Sequence, residues 1–313
     1  MRDTSPDTTP DTTPDTTPMR SQTDPLRQVT TSVVRWRGAS SDATSDELVA
    51  EEPLEIRARP ADGTDGQSWA TEPETVAVVM RTPGHDDELA MGFLLSEGLI
   101  TRADEVIGVT PGLDSDGLPS PNVVEVVSAS GVDLGQRMRE SGYSRQFAVN
   151  ASCGVCGKNT VEAACALLPP VSLDGFSVAP AMLYRLPDRL RAEQRVFSAT
   201  GGLHGAALFD GAGRLVAVRE DIGRHNAVDK LVGRALLAGE TPLRERALLV
   251  SGRLSFEIVL KALVARIPIV AAVSAPSSLA IDMARAGGVT LVGFLRGESC
   301  NVYTWPERVR SHA

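Results

Sequence analysis

Residues 247–294 read ALLVSGRLSFEIVLKALVARIPIVAAVSAPSSLAIDMARAGGVTLVGF, and this stretch decides the fold. Aliphatic runs at Ala247–Val250, Ile267–Val273 and Val289–Phe294 alternate with helix-patterned segments at Ser255–Val264 and Ser278–Ala286. An apolar run without polar alternation suits a strand covered on both faces, and strands separated by amphipathic helices pair in parallel. Upstream, Asn226–Leu237 predicts a further helix. Ala206–Phe209 and Leu215–Arg219 predict two strands joined by Asp-Gly-Ala-Gly, a short hairpin turn. The expectation for residues 179–310 is an α/β unit of three layers: a largely parallel sheet, helices on both faces and an antiparallel hairpin at its edge.

Towards the N-terminus the pattern is mixed. Thr75–Met80 (TVAVVM) and Val123–Val127 read as strands, and Asp86–Leu99 as a helix with Leu89, Phe93, Leu94 and Leu95 on its apolar face. The acidic first turn of that helix suits the positive end of its dipole. Residues 29–145 are therefore expected to form a small α+β domain, and residues 146–178 a loop and short helix between the two units. Residues 1–28 repeat Asp-Thr-Thr-Pro with nothing apolar to bury, so they read as a disordered tail outside the fold, with Met19 as an alternative start.

Composition narrows the function classes. Aromatic residues make up 4% of the 313, so the core must be aliphatic. No stretch approaches the roughly 18 apolar residues of a spanning helix, and the N-terminus lacks the apolar segment of a secretory signal. A soluble, cytoplasmic protein is expected. Residues 200–313 hold 14 Lys+Arg against 10 Asp+Glu, while the rest hold 17 against 30. A mildly basic C-terminal portion fits a small anionic ligand better than a nucleic-acid groove, which calls for a denser patch.

Four cysteines in a chain this long make no disulfide scaffold. Cys153 and Cys156 form a Cys-x-x-Cys pair in Ser-Cys-Gly-Val-Cys-Gly-Lys, whereas Cys165 and Cys300 read as small apolar residues. Such a pair can exchange a disulfide, supply half a zinc site, or hold and pass a persulfide. Each use needs thiolate, which the neighbouring Lys158 favours. Lys158 is one of three lysines among 31 basic residues. Glycines on either side suit a sulfur that visits two partners. A structural zinc site lacks a second Cys-x-x-Cys to complete it, and no metal ligands are assigned.

Three strand ends form a second constellation. In a parallel sheet, ligands sit beyond the carboxyl ends of the strands. Those ends run into Ser251-Gly252-Arg253-Leu254-Ser255, Ser274-Ala275-Pro276-Ser277-Ser278 and Leu295-Arg296-Gly297-Glu298-Ser299. Helix-start amides, hydroxyls and arginines there would converge on a phosphate-bearing ligand, although any single serine is as well explained as a helix cap. A third set, Thr200–Gly205 with Glu220–Asn226, places His204 and His225 beside carboxylates. That suggests either hydrolase or metal chemistry, or hydrogen-bonded structural histidines.

Together, TGGLHGAALFD, REDIGRHNAVDK, VSGRLSFE, VSAPSSLA, VGFLRG, SCGVCGK and TPGHDDELAMGFLLSEG resemble the formate dehydrogenase accessory sulfurtransferases, the FdhD family, over about residues 75–309. The resemblance implies a C-terminal domain similar to the cytidine deaminase fold. It also implies sulfur transfer from a cysteine desulfurase to a molybdenum or tungsten bis-guanine-dinucleotide cofactor, bound as cargo and needed by the formate dehydrogenase apoenzyme. On the family's pattern Cys153 carries the persulfide, Cys156 assists, and Phe294, Leu295, Arg296, Gly297, Glu298 and Ser299 bind the cofactor. The resemblance also implies a homodimer with no tight cofactor of its own, and neither a nucleic-acid nor a membrane partner is expected. The alternatives are a cofactor-binding chaperone without sulfur chemistry and a structural zinc protein. A zinc deaminase is disfavoured, because the cysteine pair precedes both histidines and no Pro-Cys-x-x-Cys follows.

Overall fold

The computed structural model describes residues 27–60, 72–140, 168–172 and 175–311. The expected tail lies outside the described residues except for its last two positions, and Cys153, Cys156, Lys158 and Cys165 lie outside them as well.

The chain enters on a two-stranded antiparallel ribbon, β1 (Gln28–Arg37) and β2 (Ser40–Val49). A four-stranded sheet follows from β3 (Glu52–Pro60), β4 (Glu74–Arg81), β5 (Val106–Leu113) and β6 (Pro119–Ser128), in the order β4-β3-β6-β5 with β3 and β6 parallel. Helices α1 (Asp86–Ser96) and α2 (Leu134–Glu140) belong to this part. Three short helices, α3 (Pro180–Tyr184), α4 (Leu186–Glu193) and α5 (Arg195–Thr200), then lead to β7 (His204–Phe209) and β8 (Leu215–Asp221).

The remainder alternates: α6 (Arg224–Leu237), β9 (Ala247–Val250), α7 (Phe256–Val264), β10 (Ile269–Ala272), α8 (Ser278–Gly287), β11 (Thr290–Arg296) and β12 (Ser299–Thr304). The second sheet has the order β12-β11-β10-β9-β7-β8. Its centre, β9 to β11, is parallel; β7 and β12 run antiparallel to it, and β8, antiparallel to β7, runs in the direction of the centre.

Side-chain alternation makes the large sheet the middle of three layers. Leu248, Val250, Val270 and Ala272 point into one apolar cluster with α6, α7 and α8. Ala247, Leu249, Ile269 and Ala271 point into another with Leu183, Leu186 and Leu190 of α3 and α4. The expected layering is present, with one correction. The last strand runs on to Arg296 and turns at Gly297 into β12, so residues 295–299 form a hairpin rather than a loop after the strand. The turn was obscured because Phe294 takes a left-handed conformation, φ 52°, which a sequence pattern does not show.

The two sheets share one core. The larger cluster runs without a break from Leu54, Ile56 and Val76 through Leu89 and Leu94 of α1 to Val228, Leu231 and Ile258. The helices α1 and α6 cross with backbones in contact. A Cβ on Gly92 would overlap the carbonyl oxygen of Asp229, and one on Gly233 would overlap that of Glu88. Beside this crossing, Lys261 Nζ meets both Asp229 oxygens at 2.8 Å, and Ser96 Oγ donates to Asp229 at 2.8 Å. Burial works against the Lys261 charge, but the Asp229 carboxylate outweighs it and holds the amine above its usual range.

Gly92→Ala should destabilise the fold by about 1–3 kcal/mol or more, because a backbone-to-backbone contact has no side chain to move aside. Denaturant unfolding measures this. Lys261→Met should cost about 3–5 kcal/mol by stranding Asp229, and adding Asp229→Leu should recover most of the loss. Equal stability of the single and double variants would count against a paired buried charge.

Candidate functional site

The carboxyl ends of β9, β10 and β11 lie on one edge of the large sheet. Antiparallel pairing brings three further ends to that edge: His204 opposes Asp221 across β7 and β8, Ala206 opposes Val250, and Arg296 opposes Ser299. The three strand-end loops are braced together. Ser251 Oγ accepts from Gly205 N at 2.9 Å, and Ser251 N donates to Gly205 O at 2.8 Å. Leu254 N donates to Ala275 O, and Ser277 N to Leu254 O. Phe294 N donates to Ser274 O at 3.1 Å, and Arg296 Nε to Val273 O at 3.1 Å. The edge is thus one continuous surface, not three independent loops.

A cationic cluster sits at its centre. A Cβ on Gly252 would lie 3.4 Å from His204 Nδ1 and 3.9 Å from Arg224 Cδ, ordinary contact distances that place His204 and Arg224 side by side over the residue 252 backbone. Among the described residues no carboxylate forms an ion pair with Arg224 or Arg253, and Arg224 Nε is buried without a hydrogen-bond acceptor. Burial, and then the nearby Arg224 charge, hold the His204 imidazole below its ordinary 6.5. An arginine group that is desolvated and unpaired is costly in isolation, and an anion would relieve it.

The carboxylates nearby are already committed. Asp221, fully buried, binds Lys230 Nζ at 2.7 Å and accepts from Thr82 N, Gly223 N and Asn226 Nδ2. Glu220 accepts from Val196 N and Phe197 N at the start of α5. His225 Nε2 lies 2.9 Å from Glu257 Oε2 and 3.1 Å from Ser255 Oγ. These acids therefore build the edge, and among the described residues no cluster of His, Cys, Asp and Glu is fit to hold a metal. His225 is the hydrogen-bonded structural histidine; among the described residues His204 forms no ion pair with a carboxylate.

Of the segment expected to bind the cofactor, Phe294, Arg296, Gly297, Glu298 and Ser299 are exposed at the end of β11 and in its turn, while Leu295 is buried in the core. Arg224 stands in the Glu220–Asn226 motif, where nothing in the pattern marks it as a ligand. Sequence alone cannot tell a paired arginine from an unpaired one.

What the fold and its edge define is a mixed α/β protein with an anion-receptive sheet edge. A family model described as the FdhD/NarQ family matches residues 67–310, and the chain belongs to that family. It is 49% identical over 290 residues to a protein named sulfur carrier protein FdhD from Streptomyces avermitilis, covering 90% of this chain and 95% of that one. It is 44% identical over 272 residues to the protein of that name from Sulfurisphaera tokodaii, covering 86% and 94%. The crystal structure of a candidate formate dehydrogenase accessory protein from Desulfotalea psychrophila has the same fold. Its TM-score is 0.67 at 24% identity, covering 91% of this chain and all of that one.

An anion bound beside His204 should raise its pKa, so binding should take up a proton. Phosphate affinity should therefore increase as pH falls from 6.5 towards the free-state value of His204. In the unliganded protein the sign reverses for stability. The depressed group favours folding above 6.5 and opposes it as pH falls below, where the unfolded chain takes the proton first. Imidazole NMR titration with and without phosphate checks this, and a His204 midpoint at or above 6.5 in the free protein would contradict it.

Proposed function

We propose that this protein is a sulfur carrier that takes persulfide sulfur from a cysteine desulfurase on Cys153. It then passes the sulfur to a molybdenum bis-guanine-dinucleotide cofactor destined for formate dehydrogenase. The observation that carries the cofactor half is the pair of arginines without carboxylate partners, Arg224 and Arg253, beside His204 on the braced edge. Pyrophosphate is a fitting partner for such a cluster, since arginine's planar fork matches its oxygens. Phe294, Arg296, Gly297, Glu298 and Ser299 extend the same edge, with the exposed Phe294 ring available to a base. The sulfur half is supported by the names of the relatives and by the Cys-x-x-Cys pair. The hairpin beside three parallel strands is in keeping with a likeness to the cytidine deaminase fold. A cytoplasmic homodimer is part of the same reading.

The chemistry balances with the residues at hand. The Cys153 thiolate attacks the outer sulfur of the donor's persulfide, the donor S–S bond breaks, and the donor leaves as a thiolate. When Cys156 thiolate then attacks the inner sulfur of the Cys153 persulfide, a Cys153–Cys156 disulfide forms and the outer sulfur leaves at the sulfide level for the metal. The two electrons come from the thiol pair, and a cellular dithiol restores it.

Incubation with a cysteine desulfurase and cysteine should add about 32 Da per sulfur, lost on reduction. Cys153→Ala should abolish the gain and the activation of formate dehydrogenase while leaving the melting temperature within a few degrees. Retained GDP binding with no gain in mass would favour a chaperone over a carrier, and a zinc adduct with a lowered melting temperature would favour a structural site.

A further inference from the structure

The cationic cluster at the sheet edge has a counterpart within the chain. Residues 3–18 carry Asp3, Asp7, Asp11 and Asp15, one every four residues, and no lysine or arginine. Arg27 fixes where that segment joins the fold. Its Nη2 donates to Glu220 O at 2.9 Å, and Glu220 adjoins Asp221, which opposes His204 across the β7–β8 ladder. The described chain therefore begins within one arginine side chain of the strand end that carries the cluster, and Asp15, the last aspartate of the repeat, is twelve residues before Arg27. At up to about 3.3 Å per residue, every aspartate in it can reach Arg224 and Arg253.

We propose that the Asp-Thr-Thr-Pro segment docks on the edge formed by His204, Arg224 and Arg253 and competes there with the anionic ligand. This rests on the anion-site half of the function proposed above. The nearer carboxylates are engaged by other partners: Asp221 pairs with Lys230, and Glu257, which also feels the Arg224 charge, pairs with His225. Successive aspartates are four residues apart, at most about 14 Å, so one carboxylate at a time meets the cluster and the next replaces it. Tethering gives each a local concentration in the millimolar range, enough for weak contacts to matter. An anion that grips both arginines displaces the segment, whereas a weakly held one does not. The segment thus raises the threshold for occupancy.

The test compares the full chain with one beginning at Met19, and with a full chain carrying Asp→Asn at positions 3, 7, 11 and 15. His204 is the reporter, and the charged groups that act on it are Arg224 and His225 of α6, Arg253 of the β9–α7 loop and Asp221 of β8. Docked carboxylates raise its NMR titration midpoint, so the midpoint should be lower in the shortened and Asn-substituted chains. The difference should disappear at about 1 M salt, where the screening length is about 3 Å. GDP, titrated by calorimetry at low salt, should bind both altered chains about threefold or more tightly than the full chain, consistent with millimolar competition. Identical His204 titration in all three chains overturns the docking, whether or not GDP binds. A shifted midpoint with no GDP binding to any chain keeps the docking and removes the nucleotide reading instead.

Discussion

Everything that positions the sheet edge depends on the crossing of α1 and α6. Two glycines, Gly92 and Gly233, let these helices touch backbone to backbone. Glycine within a helix costs roughly 0.5–1 kcal/mol relative to alanine. That cost is offset by joining the four-stranded and six-stranded sheets into one apolar cluster. Side chains fasten the contact from both ends. Arg219 Nε and Nη2 of β8 grip the Glu88 carboxylate of α1 at 2.5 Å each, and Lys261 of α7 reaches Asp229 beside Ser96. The crossing angle and depth of α6 are then set by helices on either side of it.

The consequence at the edge follows through Asp221. Its carboxylate is fixed by Lys230 in the second turn of α6, by Thr82 from the N-terminal part, and by Gly223 and Asn226 at the start of α6. Both described lysines are thus buried in ion pairs. A compact ammonium with three donors suits such a pocket: Lys230 donates to Thr82 O as well as to Asp221. The two amines respond differently. Burial holds Lys230 below the usual lysine range despite Asp221, whereas Asp229 keeps Lys261 above it. At the sheet edge the cations are arginines, with Arg253 and Arg296 exposed and Arg224 half-buried, while Arg81 and Arg308 are buried elsewhere. The third lysine, Lys158 beside the cysteine pair, lies outside the described residues.

How much of this the sequence disclosed varied by element. β9, α7, β10 and α8 were readable because each strand is apolar on both faces and each helix begins after a Ser-containing loop. The β1–β2 ribbon was not. Ser40–Val49 reads SSDATSDELV, polar almost throughout, and the ribbon leaves Val34 and Trp36 exposed, so no burial pattern marks it. β12 was hidden by its alternation of exposed and half-buried residues. The shared core was hidden for another reason: a glycine in a helix pattern reads as a weak point, and only its partner helix shows it to be a contact. At the site, the three converging loops were legible from strand ends alone. What was not legible was which arginine stood unpaired, since that depends on Asp221 and Glu257 being claimed by residues distant in sequence.

Two serines show that the edge is more than a row of helix starts. Ser277 and Ser255 both precede a helix, each in extended backbone conformation. Ser277 spends its hydroxyl on the cap, accepting from Ala280 N at 3.2 Å. Ser255 makes no cap hydrogen bond; its hydroxyl lies 3.1 Å from His225 Nε2, the nitrogen that also meets Glu257. Forgoing a serine cap costs about 1 kcal/mol. What the chain gains is a fixed His225 side chain, and with it a fixed first turn of α6 carrying Arg224. The uncapped amides of α7 then lie on the same edge as that arginine, and both favour negative charge. A sequence selected only for stability would cap both helices; here one cap is given up at the place where the cations converge.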